Sequence, residues 1–325
     1  MKKTFRTILL LSAFAIAIGC STNDSYPKQP ITIVVPNAQG GANDIMARLM
    51  IASGENKIKN QPIIIVNKPG GNEVVGFSYV AKSKPDGYTL IMGWGGSTST
   101  FARQVSDLPY DPFKDFTPVI GTASFSQCLA VSADSPFKTL DELVKYAKEH
   151  PGELRWTHSA VNGLHYLLGL DFFKKADIKL TEVVNTEGGA AARNLVASKS
   201  VDVGIFATFL AKGFENKIRL LAICDDQRDP IMKNIPLFSE LGYEVANVSE
   251  CKMIAAPAGT PKEIIDILYK SFKAMLESES CKKAFGDLGY TIRAWNPEQC
   301  LEAAKKLDSM YAQIIEDFNI KPPSK

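Results

Sequence analysis

Asn37-Ala-Gln-Gly-Gly41, followed by Asn43 and Asp44, is the stretch of this 325-residue chain whose residue types could do the most chemistry. Gly40-Gly41 leaves backbone amides clear of side chains, and Asn43 or Asp44 can cap a helix starting there. Unpaired amides at the positive end of a helix dipole receive an anion. The same shape also serves as a turn that binds nothing, and the stretch alone leaves both readings open. Four comparable turns follow: Lys68-Pro-Gly-Gly-Asn-Glu73, Gly93-Trp-Gly-Gly-Ser97, His158-Ser-Ala-Val-Asn-Gly163 and Asn185-Thr-Glu-Gly-Gly189.

Catalytic alternatives find little support. His158 and His165 could share a helix face, but the chain has 3 histidines and no carboxylate at ligand spacing, so no metal site is expected. Gly93-Trp-Gly-Gly-Ser97 is not the Gly-x-Ser-x-Gly of a hydrolase elbow, and no Ser/His/Asp set stands out. Neither a G-x-G-x-x-G fingerprint nor a P-loop lysine is present. The expectation is a binding protein without cofactor or catalysis.

The elements that hold these turns repeat one rhythm. Ile31 to Val35 is a β-branched apolar run ended by Pro36, and a helix follows to about Ser53. Gln61 to Asn67 and Tyr88 to Met92 are further strands, each running into a glycine turn, with a helix from Val74 to Ser83 between them. Strand, glycine loop and helix in succession predict a parallel sheet whose loops gather at its carboxyl edge. Val119 to Ser132 reads as a long strand crossing into a second lobe. There Leu154–Thr157, Leu180–Val184, Val201–Phe206 and Ile218–Ile223 repeat the pattern, with helices at Leu140–Glu149, Leu164–Ala176 and Ala190–Ser198. Ala246 to Ala256 is the expected return crossing, and helices at Pro261–Ser278 and Pro297–Phe318 are expected on lobe one. The fold class is therefore α/β, two lobes joined by two crossing strands around a ligand cleft. Lobe one is assigned to 30–122 and 253–325, lobe two to 123–252. Hinge closure is expected about Gly121–Leu129 and Val248–Ala256.

The start of the chain reads as an export signal over residues 1–19: basic Lys2, Lys3 and Arg6, then an apolar run from Ile8 to Ile18 too short to span as a mature helix. Ala17-Ile-Gly-Cys20 resembles a lipobox, which would leave Cys20 acylated on a polar tether over 20–29. An ordinary signal cut nearby, discarding Cys20, is the alternative. Without the three basic residues, 37 Lys+Arg against 35 Asp+Glu becomes a net charge of about −1, which excludes a basic nucleic-acid surface. Cys128, Cys224, Cys251, Cys281 and Cys300 are odd in number and widely spaced, not a disulfide framework. Cys128 and Cys251 fall on neighbouring crossings, and free thiols are favoured there.

In order and spacing the chain resembles the substrate-binding receptors of tripartite tricarboxylate transporters, the Bug family. The resemblance rests on Tyr26–Pro36 with Gly40-Gly41-x-x-Asp44, Val66-Asn-Lys-Pro-Gly70 with Gly76, and Pro85-Asp-Gly-Tyr-Thr-Leu90. It continues through Asp115-Phe-Thr-Pro-Val119, Leu140–Gly152, Ser159-x-x-Asn-Gly163, Ala222–Arg228 with Ile235-Pro236, and Ala255–Pro261. It implies a type II periplasmic-binding-protein fold, no catalysis, and capture of a small carboxylate for a membrane permease. It also implies a monomer that touches the membrane only through its anchor, on a periplasmic or cell-surface face. Use of the same fold as a ligand sensor for a signalling partner stays open. Carried over residue by residue, the resemblance points to Ala38, Gln39, Gly40, Gly41 and Asp44, then Gly70 and Gly71. In the second lobe it points to Ser159, Asn162, Gly163, Thr186 and Gly188. Departures from the family pattern add Asn37, Asn72, Glu73, Trp94, Glu187 and Phe206. Glu73 and Glu187 would repel a tricarboxylate. A ligand with fewer charges is therefore expected, a monocarboxylate with an amine, hydroxyl or ring, and Trp94 as an apolar or cation–π wall. Both glutamates could instead face solvent or cap helices.

Overall fold

The computed structural model describes residues 26–53, 57–71, 73–95, 108–159, 163–185, 187–246 and 251–320. The export signal, Cys20, Asn72, Ser97, Asn162, Thr186 and 247–250 lie outside the described residues.

Twelve strands are described: β1 (Ile31–Val35), β2 (Lys57–Ile58), β3 (Gln61–Asn67), β4 (Thr89–Trp94), β5 (Phe116–Ser124), β6 (Gln127–Ser132), β7 (Arg155–His158), β8 (Thr181–Glu182), β9 (Val203–Ala207), β10 (Ile218–Cys224), β11 (Lys252–Pro257) and β12 (Thr291–Trp295). The described helices are α1 (Ala42–Ser53), α2 (Val74–Ala81), α3 (Leu140–Glu149), α4 (Leu164–Ala176), α5 (Gly189–Ala197), α6 (Lys262–Glu277), α7 (Glu279–Asp287) and α8 (Pro297–Asp317). A short 3-10 turn covers Thr208–Ala211.

Two sheets result, ordered β12-β5-β11-β4-β1-β3-β2 and β10-β6-β9-β7-β8. In the first, β1 lies parallel to both β3 and β4; in the second, β7 lies parallel to β8 and β9. β-branched runs covered on both faces give this arrangement, since crossover helices must pack above and below a parallel sheet. Alternation decides the faces. Ile31, Ile33 and Val35 join Leu90 and Met92 against α1, α6 and α7. Val34 and Ile91 point the other way, against Phe77 of α2 and Cys300 and Ala304 of α8, and Trp94 joins them because the pairing with β11 shifts register at Gly93. The second sheet divides likewise: Leu129, Val131 and Ile205 face α3 and α4, while Cys128, Ala130 and Phe206 face α5.

The expected single crossing strand is two. β5 ends at Ser124 in the first sheet, and β6 begins at Gln127 in the second, with Phe125 and Ser126 between. A clamp holds this junction: Arg293 of β12 donates to Ser124 Oγ (2.8 Å), Asp225 (3.1 Å) and Asp226 (2.9 Å), and Ser126 Oγ donates to Asp225 (2.9 Å). Phe125 also stacks edge-on to Phe209 and tilts against Tyr290.

The last helix differs from expectation. α8 does not dock on lobe one alone. Its 21 residues reach about 31 Å, enough to serve both cores. Cys300 and Ala304 sit in lobe one, whereas Leu307, Tyr311 and Ile314 complete the core of lobe two. Cys128 keeps its thiol, wholly buried and donating to the Phe206 carbonyl, and forms no bridge to Cys251.

Candidate functional site

In lobe one the three glycine-bearing loops follow β1, β3 and β4, and side chains knit them together. Asn37 Nδ2 donates to Glu73 Oε1 (2.7 Å), joining the first loop to the second. Asn43 Nδ2 donates to Asn37 Oδ1 (2.6 Å). Gly93 carries a φ of +96°, and a Cβ there would lie 2.5 Å from Asn43 Nδ2, so only glycine allows the third loop to close on the first. Gly76 of α2 is similarly constrained, since a Cβ would meet Pro36 at 2.8 Å.

Asp44 organises the opening loop. Its carboxylate accepts from the Gly40 amide (2.9 Å), Asn67 Nδ2 (2.9 Å) and Arg48 Nε (2.9 Å), and it is 1% exposed. Burial pushes its pKa up, but the bonds from Arg48, Gly40 and Asn67 and the Arg48 charge outweigh that and hold it below the usual carboxylate value. The Gly40 amide is therefore spent on Asp44, and the Gly41 amide on the Ala38 carbonyl (3.2 Å). Among the described residues the amides of Ala38, Gln39, Gly70 and Gly71 have no acceptor. The glycines shape the turn while their neighbours present the donors.

Lobe two gathers its loops the same way, at the carboxyl ends of β7, β8 and β9. Asn185 donates to the carbonyls of His158 (2.9 Å) and Gly188 (2.9 Å) and accepts from the Glu187 amide (3.0 Å). A Cβ on Gly189 would lie 3.7 Å from Ser159 Cβ and 3.8 Å from Phe206 Cβ, so Ser159, Phe206 and the start of α5 are neighbours. Gly163 and Gly188 are the N-caps of α4 and α5, and neither helix start receives a side-chain cap. α2 begins at Glu73, again without a side-chain cap. Thr139 and Asn296 form capping boxes on α3 and α8, and Ser278 caps α7. α6 also lacks a side-chain cap behind Pro261, but it follows β11, antiparallel to β4, and so starts at the opposite edge of the sheet. The loop edge of lobe two turns toward lobe one, because Ala207, Phe209 and Leu210, at and just after the end of β9, pack into the lobe-one core.

Other expected residues sit elsewhere. Trp94, expected as a wall open to ligand, is enclosed: it is 1% exposed, its Nε1 donates to the Pro112 carbonyl (2.8 Å), and Phe113 packs edge-on. The Phe206 side chain is core, touching the site only through Cβ and backbone. Glu187 is exposed, whereas Glu73 is partly buried and bonded into the first loop. His158 pairs with Glu182 (2.9 Å), and His165 lies between Ser159 and Gln127, so the two rings serve different partners.

Sequence reasoning missed Arg48, Asn67, Gln127 and Lys252, and named Asn43 only as a cap and Asn185 only as the start of a turn. Lys252 is 8% exposed on β11, and its charge is felt at His165. A lysine set in the otherwise apolar run from Cys251 to Pro257 was the signal available. A cavity of about 1000 Å³ lies away from all the expected residues, between α4 and α8 and lined by Lys175, Arg293, Trp295 and Leu307 among others. It is as large as many ligand sites, yet the loop edges do not reach it.

A chain that folds twice into α/β lobes and turns the loop edge of one sheet toward the other lobe is a solute receptor of the type II periplasmic-binding-protein class. It belongs to the tripartite tricarboxylate transporter receptor family, whose model matches residues 46–320. Protein BugT of Bordetella pertussis is 27% identical over 301 residues, covering 90% of this chain and 91% of that one. Two solved structures are 28% identical: an R. palustris protein with adipate (TM-score 0.78, 91% of this chain, 99% of that one) and MatC of Rhodopseudomonas palustris with malate (TM-score 0.72, 89% and 100%). The protein is thus an exported receptor of a family that works with tripartite permeases. No helix among the described residues is long and apolar enough to cross a membrane.

Proposed function

We propose that this receptor captures a small carboxylate of low charge between its lobes and delivers it to its permease. The observation that carries this is the set of open donors at the loop edges: α4 and α5 begin at glycines without a side-chain cap in lobe two, and the amides of Ala38, Gln39, Gly70 and Gly71 have no acceptor among the described residues of lobe one. Bare starts leave amides for a ligand's oxygens. Ala38, Gln39, Gly70 and Gly71 hold the carboxylate from lobe one, with Gly40, Gly41, Asn37 and Asp44 shaping the loop. Gly163 and Gly188 hold it from lobe two, where Ser159 meets the rest of the ligand, with Asn72 of lobe one and Asn162 and Thr186 of lobe two as further contacts. The ligands named for the adipate and malate complexes of relatives are both small carboxylates. Glu73 disfavours a tricarboxylate, since its charge is fastened to Asn37 beside the receiving amides.

The bounds expected at 122/123 and 252/253 shift to the Phe125–Ser126 junction and to the start of β11, with the second half of α8 seated on lobe two, and the lobes close about that junction and the return crossing. Cys20 carries the lipid anchor. The protein performs no turnover. Ser159, His165 and Gln127 line up like a nucleophile relay, but the third member is a neutral amide that cannot stabilise an imidazolium. Burial pushes His165 down to about 3, which makes it too weak a base at neutral pH.

Calorimetry against mono-, di- and tricarboxylates tests the reading. Binding of one of the first two groups, with citrate weaker, is the expected outcome. Tight citrate binding would remove the charge argument, and absence of binding by every acid would remove the carboxylate reading.

A further inference from the structure

Ser159 stands at the lobe-two loop edge, and its hydroxyl is fixed in direction by groups behind it. Gln127, at the start of β6, sends its amide nitrogen to the Phe125 carbonyl (3.0 Å). A carbonyl only accepts, so this bond places the Gln127 side-chain oxygen on the other side, toward His165 Nε2. His165 Nε2 must then carry the ring proton, and Nδ1 is a bare acceptor. Ser159 Oγ–H donates to that Nδ1. The order is unambiguous because it begins at a group with one polarity. Gln127 is wholly buried and His165 is 8% exposed, so no water competes for the middle of the chain. The ring stays neutral: burial, with His158 and Lys252 nearby, pushes its pKa far down. A neutral ring at every physiological pH keeps Nδ1 ready to take the Ser159 proton.

A serine whose proton is committed offers only lone pairs to anything in front of it. Such a hydroxyl repels a carboxylate oxygen and welcomes an O–H or N–H. We propose that Ser159, positioned by His165 and Gln127, selects carboxylates bearing a hydroxyl or ammonium donor near the acid group over their deoxy counterparts. This rests on the carboxylate reading above and adds to it the polarity of one contact. The carboxylate itself is left to the backbone amides, which donate, and the division of labour follows from hydrogen-bond sign alone.

The test compares matched acids by calorimetry on the purified receptor: lactate with propionate, 3-hydroxybutyrate with butyrate, malate with succinate. The substituted acid is expected to bind at least about tenfold tighter than its deoxy partner, the worth of one hydrogen bond to a half-buried acceptor. S159A is expected to bring that ratio to about one, and S159T, which keeps the hydroxyl, to retain it. H165L frees the Ser159 proton to donate and is expected to shift the ratio toward the deoxy acid. Each ratio is taken within one variant, so a loss of stability does not mimic the effect. Deoxy acids binding as well as their partners in the wild type, or a ratio unchanged in S159A, would overturn the inference and leave carboxylate binding standing. Failure of every acid to bind would overturn both.

Discussion

Replacing Asp44 with Asn keeps shape and volume and removes one charge. In the folded protein the carboxylate accepts from the Gly40 amide and from Asn67 Nδ2, both at 2.9 Å, in a site 1% exposed. An amide in its place has one acceptor, so its NH2 faces another donor. Hydrogen bonds to a buried charged group each contribute about 1.5–3 kcal/mol, and losing one while crowding two donors costs about 2–3 kcal/mol. Arg48 is left out of that sum, since water replaces its partner. Urea unfolding at pH 7 should show D44N less stable by this amount, with a melting temperature lower by about 5 °C. The pH dependence adds a second check. The folded-state pKa of Asp44 lies below the ordinary value, so the unfolded chain takes up the proton first, and the stabilisation fades as pH falls. The gap between wild type and D44N should therefore be full at pH 7 and shrink below about pH 4. A D44N variant as stable as wild type at pH 7, or a gap that widens in acid, would refute the assignment of Asp44 as the organiser of the Gly40 turn.

R293M leaves Asp225 buried without its cation and should lower stability by about 3–5 kcal/mol in denaturant unfolding; near-wild-type unfolding would show that the clamp is ornamental. G76V drives a side chain into Pro36, which lies 2.8 Å from the first added carbon, and should cost about 1–3 kcal/mol by the same measurement. W94F removes the bond to the Pro112 carbonyl and should cost about 1 kcal/mol while leaving the order of ligand affinities unchanged in calorimetry. E73Q keeps an oxygen for Asn37 but drops the charge, and the affinity for succinate relative to propionate should rise several-fold. C20S should abolish incorporation of labelled palmitate in cells and release the receptor from the membrane fraction.

The fold was legible wherever pattern is local. Ile31–Val35 and Gln61–Asn67 announce themselves by β-branched runs, the third strand is read at Tyr88–Met92 though it runs on to Trp94, and Thr139 with Glu142 marks a helix start in sequence as in structure. What stayed hidden depends on distance in space. Trp94 reads as an exposed aromatic beside a glycine turn, because nothing local says that Phe77, Phe113 and Cys300 close around it. Gly40 and Gly41 read as the donors of the site, since sequence cannot show that Asp44 and Ala38 take their amides. Gln127 and Ser159 are 32 positions apart and meet only through His165. The glycine N-caps of α4 and α5 were legible in one respect: helices meant to be closed begin with Thr, Ser or Asn, and these two do not.

α8 limits how the lobes can move. Tyr311 is wholly buried in the lobe-two core, beside Leu307 and Ile314, while Cys300 is equally buried in lobe one. Pulling a buried side chain of that size into water costs about 1.5–3 kcal/mol, so freeing the lobe-two half of the helix, with three of them, would consume about as much as a micromolar ligand contributes, about 8 kcal/mol. Rotation must therefore leave both ends of α8 seated. The described crossing without a packed helix of its own is the pair of residues between β5 and β6. Arg293 ties that junction to Asp225 and Asp226, and Lys212 reaches from lobe two to the Asp287 carbonyl (2.6 Å) on lobe one. A ligand that bridges the loop edges would add its free energy beside the contacts that Phe209, Leu210 and Lys212 already make just after β9, and so would bias the lobes toward closure.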